Sequence, residues 1–221
     1  MNETSIIKTF QAGGFVMWPL LFFSVAVVAL SIERLIFWRK TMGRQRNFVQ
    51  RFFTAYREYP QLRPQELNRD QDLPLARIFM AALSLPSPTV EDFRLALETE
   101  SQAELPGMNR FAEIFDSIVT LSPLLGLLGT VTGLMGSFEA LSAGGASSTN
   151  SISAGISEAL ITTAAGLIVA IFASIVASIF RSCYQRQLTF LQEYCGQAEL
   201  IYRSHYNHQH LNKSTVSPAA A

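Results

Sequence analysis

Charged residues are scarce in this chain and are absent from three long stretches of it. Only 15% of the 221 residues are charged, and none of the charged residues lies within 11–32, 117–138 or 159–180. Each stretch is 22 residues long, which corresponds to about 33 Å of α-helix. The hydrocarbon core of a bilayer is about 30 Å thick. The sequence therefore predicts an all-α membrane protein with three transmembrane helices.

Cysteine is also scarce, and its placement argues against metal and redox sites. The chain has two cysteines, Cys183 and Cys195, which lie 12 residues apart and lack the paired spacing of a metal site. His205, His208 and His210 fall in a polar tail, where a loose solvent-exposed cluster is a simpler interpretation than a metal site. We therefore expect neither a metal nor any other cofactor.

An excess of charge of one sign is missing as well. The 17 basic residues balance 17 acidic ones, and nucleic-acid binding needs a clustered basic face, so no nucleic-acid partner is expected. The sequence contains no nucleophile–base set, phosphate-binding loop or metal constellation, which argues against an enzyme. Three spans without an internal repeat also argue against a secondary transporter, a class in which inverted repeats are common.

The basic residues that are present indicate the orientation of the chain. Eleven of them lie in 39–110 and four in 181–221, whereas the segment 141–157 between the second and third stretches has none. Basic residues concentrate on the cytoplasmic side of membrane proteins. The pattern predicts a multi-pass protein with its N-terminus and the short loop outside and its C-terminus in the cytoplasm.

These observations divide the chain into eight predicted segments. They are an outward N-terminal segment with an interfacial helix (1–14), span one (15–38), a cytoplasmic helical region (39–113), span two (114–140), a periplasmic loop (141–152), span three (153–180), a cytoplasmic helical extension (181–204) and a disordered tail (205–221). Trp18 and Trp38 lie 20 residues apart, about 30 Å along a helix, which predicts indoles at both headgroup levels. The Glu33–Arg34 pair is expected to reach towards the cytoplasmic interface.

The cytoplasmic region reads as short helices separated by prolines. We predict helices at 41–59, 75–83 and 90–108. Thr89 is a candidate N-cap, because it precedes acidic residues in the first turn of the last of these helices. About 70 residues of short helices make a weak independent core. We therefore expect these helices to continue from the membrane spans as cytoplasmic extensions.

Small residues recur along one face of each of the last two spans, at intervals of three and four. Such spacing places residues on a single helix face, and small faces let membrane helices pack closely. Glycine and alanine are frequent in all membrane spans, but random scatter rarely keeps this phase for several turns. The predicted packing residues are Gly126, Gly129, Gly133 and Gly136 on span two, and Gly155, Ala159 and Gly166 on span three.

Glu158 is the candidate functional residue, because it lies between the uncharged outer loop and the apolar stretch of span three. An ionised carboxylate within the bilayer costs about 2.5 kcal/mol or more, so the group must line an aqueous path, pair with a cation or be protonated for part of the time. Hydroxyls from Thr162, Thr163 and Thr130 extend a polar seam that could relay protons, since each can donate or accept. The alternative is that Glu158 sits at the headgroup level and anchors the helix.

Two segments, 122–135 (SPLLGLLGTVTGLM) and 155–167 (GISEALITTAAGL), carry a resemblance to a known family. In these segments, and in 32–35 (IERL), the chain resembles the MotA/TolQ/ExbB proton channel family, most closely its ExbB/TolQ branch. The resemblance covers roughly residues 15–200, and both long segments fall in the expected order on spans two and three.

The resemblance implies a homopentameric ring in the bacterial inner membrane, with a pore that holds the single spans of two ExbD/TolR-like partner subunits. An aspartate in the partner's span would take up and release protons, and Glu158, Thr130 and Thr163 would face the pore by motif match. Proton flow would turn the inner dimer, and a TonB-like or TolA-like protein would pass the work to the outer membrane.

Two hypotheses about function are therefore consistent with the sequence. In the first, the chain is the channel or stator subunit of a proton-driven motor for outer-membrane transport or envelope integrity. In the second, it is a passive oligomeric scaffold in the lipid bilayer, and Glu158 only anchors a helix. Removing the carboxyl of Glu158 would abolish work in the first case and leave it unchanged in the second.

Overall fold

The computed structural model describes residues 10–58, 69–142 and 148–215. Within these residues the fold is helical and contains no strand. The elements are α1 (Met17–Glu58), α2 (Pro74–Leu83), α3 (Val90–Met108), α4 (Ala112–Ser142) and α5 (Ser148–Thr215).

Three helices, α1, α4 and α5, contain windows long and apolar enough to cross a membrane, which confirms the prediction of three spans. Only 17%, 28% and 28% of the residues in these windows are buried within the chain. Large apolar faces left open in this way require lipid or further protein chains to cover them. The helix α5 has 68 residues, about 100 Å of helix, so it continues well beyond any bilayer, as does α1.

The chain divides into two compact units, residues 1–35 with 111–181 and residues 36–110 with 182–221. The first unit holds the apolar windows, and its core is formed by Val27 of α1, Phe115 and Ile118 of α4, and Ala173 of α5. Ala173 is fully buried, because a small side chain at this position lets the other helices approach. This unit positions the residues of the candidate site.

An aromatic cluster forms the core of the second unit. Phe48, Phe52 and Tyr56 recur every four residues in the second half of α1 and therefore share one face. The ring of Phe79 from α2 stacks on Phe52 at 4.3 Å. Burial raises the pKa of the Tyr56 hydroxyl well above its ordinary value, and nearby Tyr202 raises it further. The hydroxyl of Tyr56 has no hydrogen-bond partner within the described residues.

The helix α3 begins with the cap that the sequence predicts. The Thr89 hydroxyl accepts a hydrogen bond from the Asp92 N–H at 3.2 Å, and the Thr89 N–H donates to the Asp92 carboxylate at 3.0 Å. These reciprocal bonds form a capping box. Close to this cap, the ring of Tyr202 stacks on Phe93 at 4.2 Å, and its hydroxyl donates to the Pro88 carbonyl at 2.6 Å.

Two interfacial predictions differ from the structure. Trp38 is only 3% exposed, because it opens a buried row on α1 that continues through Thr41, Gln45 and Phe48. Its indole is therefore packed within the protein and is not exposed to lipid headgroups in the single chain.

The Arg34 side chain likewise does not extend outwards. Its guanidinium donates to both carboxylate oxygens of Glu33, at 2.6 and 3.0 Å. It also lies over the ring of Phe111, with 5.3 Å to the ring centroid. The Arg34 side chain is 4% exposed, and a charge buried to this degree requires such partners.

The predicted boundaries also change at the outer loop and at the tail. The loop predicted at 141–152 is shorter, because α4 ends at Ser142 and α5 begins at Ser148. The tail predicted as disordered is helical as far as Thr215. The sequence of α5 contains no proline, and it contains no glycine after Gly196, so neither residue interrupts the helix there. The predicted interfacial helix lies mostly outside the described residues. The part of it that is described, residues 10–12, is helical.

Candidate functional site

The contact between α4 and α5 is close because glycines face backbone atoms across it. A methyl group on Gly126 would lie 3.1 Å from the Thr162 carbonyl oxygen and 3.1 Å from the Cα of Thr163. A methyl group on Gly133 would lie 2.7 Å from the Gly155 carbonyl oxygen. A larger residue at either position would therefore force the two helices apart.

The same contact continues in both directions along the helices. At its inner end, a methyl group on Gly166 would lie 2.5 Å from the Ser122 carbonyl oxygen and 3.1 Å from the Cα of Gly126. At its outer end, a methyl group on Gly155 would overlap the hydroxyl of Ser137. Ala159 is buried in the same row.

Gly136 differs from the other predicted packing residues. It is exposed, and a methyl group placed on it would have no atom of the chain within 4 Å. Gly136 lies about 80° round the α4 helix from Gly126, whereas Ser137 lies only about 20° round the helix from Gly126. Ser137 is buried and occupies the contact where the sequence predicts Gly136.

Two threonine hydroxyls meet on one edge of this contact. The Oγ1 atoms of Thr130 and Thr163 are 2.5 Å apart. The Gly126 carbonyl oxygen lies 3.1 Å from the Thr130 Oγ1 and 3.2 Å from the Thr163 Oγ1, so one hydroxyl donates to this carbonyl while the other donates to its threonine partner. The Oγ1 of Thr130 lies 3.5 Å from the Ala159 carbonyl. Both threonines are half-buried, so they combine a fixed position with some access from outside the chain.

Thr162 lies inside the contact between α4 and α5. Its side chain is fully buried and packs directly on Gly129, where a methyl group would lie 2.5 Å from the Thr162 Cβ. Its hydroxyl donates to its own helix, at 3.1 Å to the Glu158 carbonyl and 3.0 Å to that of Ala159. Without exposed surface, Thr162 cannot line a pore in this conformation, and we assign it to the packing contact.

Glu158 lies on the other edge of the α5 face that contacts α4. It is half-buried, and no basic side chain within the described residues forms an ion pair with it. Five residues separate Glu158 from Thr163, which corresponds to about 140° round the helix. The structure therefore does not place the carboxylate beside the threonine pair. Instead, the carboxylate lies against Gly14, in the turn before α1.

The contact of the Gly13–Gly14 turn with Glu158 is the feature of this region that the sequence did not predict. The glycine doublet directly before the first span was a usable signal, because paired glycines mark turns. The Ser122 hydroxyl is completely buried and has no hydrogen-bond partner within the described residues. Nothing in the local sequence distinguishes it from other span hydroxyls.

The site offers a carboxylate and paired hydroxyls, and these groups can bind and transfer protons when water or another carboxylate connects them. Among the described residues, no group of three histidine, cysteine or acidic residues could hold a metal ion.

Comparison with known proteins identifies the family. The sequence profile of the MotA/TolQ/ExbB proton channel family matches residues 70–193. A Synechocystis sp. protein named ExbB-like 3 is 49% identical over 195 residues, which cover 87% of this chain and 93% of that protein. Another Synechocystis sp. protein, ExbB-like 1, is 36% identical over 208 residues, 93% of this chain and 82% of that protein.

A third relative comes from the Tol-Pal system. The protein TolQ of Haemophilus influenzae is 33% identical over 86 residues, 39% of this chain and 38% of TolQ. The profile spans more than half of the chain, and the first relative covers nearly all of it. With its three long apolar helices, this chain belongs to the MotA/TolQ/ExbB proton channel family, in its ExbB/TolQ branch.

Proposed function

We propose that this chain is the channel or stator subunit of an inner-membrane motor driven by the proton-motive force. With an ExbD/TolR-like single-span partner it converts proton flow into mechanical work on a TonB-like or TolA-like protein. The work serves outer-membrane transport or envelope integrity. The N-terminus and the loop between the second and third spans face the periplasm, and the C-terminus lies in the cytoplasm.

The observation that carries this proposal is the presence of a carboxylate, Glu158, and of a pair of threonine hydroxyls on two long apolar helices. Glu158 stands at the outer end of α5 without an ion-pair partner among the described residues, and the Thr130–Thr163 pair lies deeper on the same two helices. An ionisable residue within a membrane segment is a functional site by default, because the cost of placing it there must be offset. Membership of a proton channel family supports the same role.

Assembly into a homopentamer is part of the proposal. The unit formed by α1, α4 and α5 leaves most of its apolar surface open. Exposed leucines on α4, including Leu124, Leu127 and Leu128, provide surface that lipid or neighbouring copies can cover. A pentamer of this chain would enclose a pore, and the partner's span would complete the proton path.

Proton flux in vesicles tests the proposal. The chain is purified with its partner subunits, and the variants Glu158→Gln, Thr130→Val and Thr163→Val are compared with Thr120→Val. Thr120 is a matched control, because it is an exposed threonine on α4 whose hydroxyl bonds only to its own helix, at 3.0 Å from the Asp116 carbonyl. We expect assembled complexes with flux lowered at least about tenfold in the three site variants, and flux within about twofold of the parent in the control.

The scaffold hypothesis makes the opposite prediction. If Glu158→Gln and Thr163→Val assemble and retain the flux of Thr120→Val, the chain contributes no group to proton transfer. Loss of assembly in Glu158→Gln alone would support an anchoring role for the carboxylate.

A further inference from the structure

A short turn precedes α1 and contains two consecutive glycines. The Gly13 N–H donates to the Phe10 carbonyl at 3.3 Å, and the Gly14 N–H to the Gln11 carbonyl at 3.5 Å. The Gly14 carbonyl then accepts from Met17 at 3.3 Å and so starts α1. Gly14 has φ +64°, a left-handed conformation that glycine adopts readily and other residues adopt at a cost.

Side chains on both sides hold this turn in place. The rings of Phe10 and Trp18 meet edge to face across it, with centroids 5.4 Å apart. Val16 and Leu20 are 5% and 2% exposed, so the first turns of α1 are packed within the protein. The turn is therefore a defined part of the unit that contains α4 and α5.

The Glu158 carboxylate lies directly against the turn. A methyl group on Gly14 would overlap the Oε1 atom of Glu158 and would lie 2.7 Å from its Cδ. A methyl group on Gly13 would overlap the Cγ atom of Met17, with the Met17 sulfur at 2.8 Å, and would lie 3.3 Å from Ile161. Of the two glycines, Gly14 is thus the one whose missing side chain leaves room for the carboxylate.

The position of the turn also suits the charge of the carboxylate. The N-terminus of a helix carries partial positive charge and free N–H groups, which favour an anion nearby. The turn opens α1, so the carboxylate of Glu158 lies next to such a terminus.

We propose that the Gly13–Gly14 turn is the outer wall of the Glu158 site and that Gly14 is a positioning residue, which fixes where the carboxylate stands. The first span thereby takes part in proton transfer through its N-terminal turn, in addition to α4 and α5. The link to proton transfer rests on the proposed function, whereas the contact itself does not.

A cross-linking experiment tests the contact independently of activity. Gly14→Cys and Glu158→Cys are combined in full-length chain in which Cys183 and Cys195 are replaced by serine. Oxidation by diamide, which takes up the two thiol hydrogens, is expected to join the two cysteines within one chain. The pair Gly13→Cys and Glu158→Cys is the matched control and is expected to react more slowly. Equal or absent cross-linking in the two pairs would overturn the proposal.

Thermal unfolding separates strain in the turn from displacement of the carboxylate. Gly14→Ala is expected to lower Tm in the parent chain, because it introduces both a left-handed alanine and an overlap with Glu158. In a Glu158→Ala background the overlap is gone, so the decrease should be smaller by several degrees. Gly13→Ala should change Tm equally in both backgrounds. An equal decrease for Gly14→Ala in both backgrounds would contradict a positioning role.

Proton flux then connects the contact to function. In complexes with the partner subunits, Gly14→Ala should lower flux at least about tenfold. Gly43→Ala is the control on α1, because a methyl group there would have no atom within 4 Å, and its flux should stay within about twofold of the parent. Gly14→Asn should be as impaired as Gly14→Ala, because asparagine tolerates the left-handed conformation but still displaces the carboxylate. Recovery of flux in Gly14→Asn, or normal flux in Gly14→Ala, would overturn the proposal. Normal flux in Glu158→Gln would instead refute the proposed function and leave the cross-linking result to decide the contact.

Discussion

Replacing Gly166 by alanine tests the close approach of α4 and α5 most directly. The new methyl group would lie 2.5 Å from the Ser122 carbonyl oxygen, 3.1 Å from the Cα of Gly126 and 3.2 Å from its nitrogen. All three are backbone atoms, so no side chain can rotate away to make room. The helices must separate locally, or the bundle must tolerate the overlap.

The expected magnitude follows from two opposing effects. Overpacking of a filled contact costs about 1–3 kcal/mol, and rigid backbone neighbours place Gly166→Ala in the upper part of that range. Alanine is favoured over glycine in a helix by about 1 kcal/mol. The net loss is therefore about 1–2 kcal/mol. Gly196 lies on the same helix with no atom within 4 Å of a methyl group placed on it, so Gly196→Ala should gain up to about 1 kcal/mol.

Thermal unfolding in detergent measures the difference between these two variants. A gap of about 2–3 kcal/mol corresponds to roughly 4–12 °C in Tm for a protein of this size. Because both substitutions change glycine to alanine within α5, the effects on the unfolded chain largely cancel. A Tm for Gly166→Ala equal to or above that of Gly196→Ala would refute the close contact at Ser122 and Gly126.

Three further predictions concern the second unit. Thr89→Ala removes the capping box and should destabilise the protein by about 1 kcal/mol. Hydrogen bonds from the side chain and the backbone of Thr89 lower the pKa of Asp92, so the part of the cap that involves the Asp92 carboxylate should be lost as the pH falls through the folded pKa of that group, whereas the bond from the Asp92 N–H to the Thr89 hydroxyl remains. Acid titration of Tm in parent and variant checks both points. Tyr202→Phe keeps the ring on Phe93 but loses the bond to the Pro88 carbonyl, so chemical denaturation should show a loss of about 1 kcal/mol. Tyr56→Phe removes a buried hydroxyl without a partner among the described residues and should be neutral or stabilising at pH 7. Since burial raises the pKa of Tyr56, the parent protein should lose stability above about pH 10, and the variant should lose less. An alkaline stability profile that is the same in parent and variant would contradict this.

The sequence predicted those features that depend on local pattern. Uncharged stretches of 22 residues were sufficient for the three apolar helices, because no soluble fold needs three such runs. Thr89 was found as an N-cap because its signal lies within four residues of the chain. Gly126, Gly129 and Gly133 were found because a helix face repeats every three or four residues.

Other features depend on where one helix meets another, and the sequence pattern leaves these undetermined. By its position in the sequence, Thr162 could lie either on the packing face of α5 or among the hydroxyls near Glu158. Its contact with Gly129 places it on the packing face. Trp38 had the spacing of an interfacial residue, but the face that it shares with Gln45 and Phe48 is buried. The contact between Gly14 and Glu158 joins residues 144 positions apart, a distance at which local patterns carry no information.

The positions of the polar groups bear on how a proton could cross this bundle. Proton transfer requires donors and acceptors at about 3 Å from one another. Glu158 and Thr163 lie on opposite edges of the α5 face that contacts α4, and between them the hydroxyl of Thr162 is buried and bonded to its own helix. A relay from Glu158 to the threonine pair therefore cannot run through the contact between α4 and α5 in this conformation. It must pass outside that contact, through water or through a carboxylate on another chain, which is what a partner with an acidic residue in its span would supply.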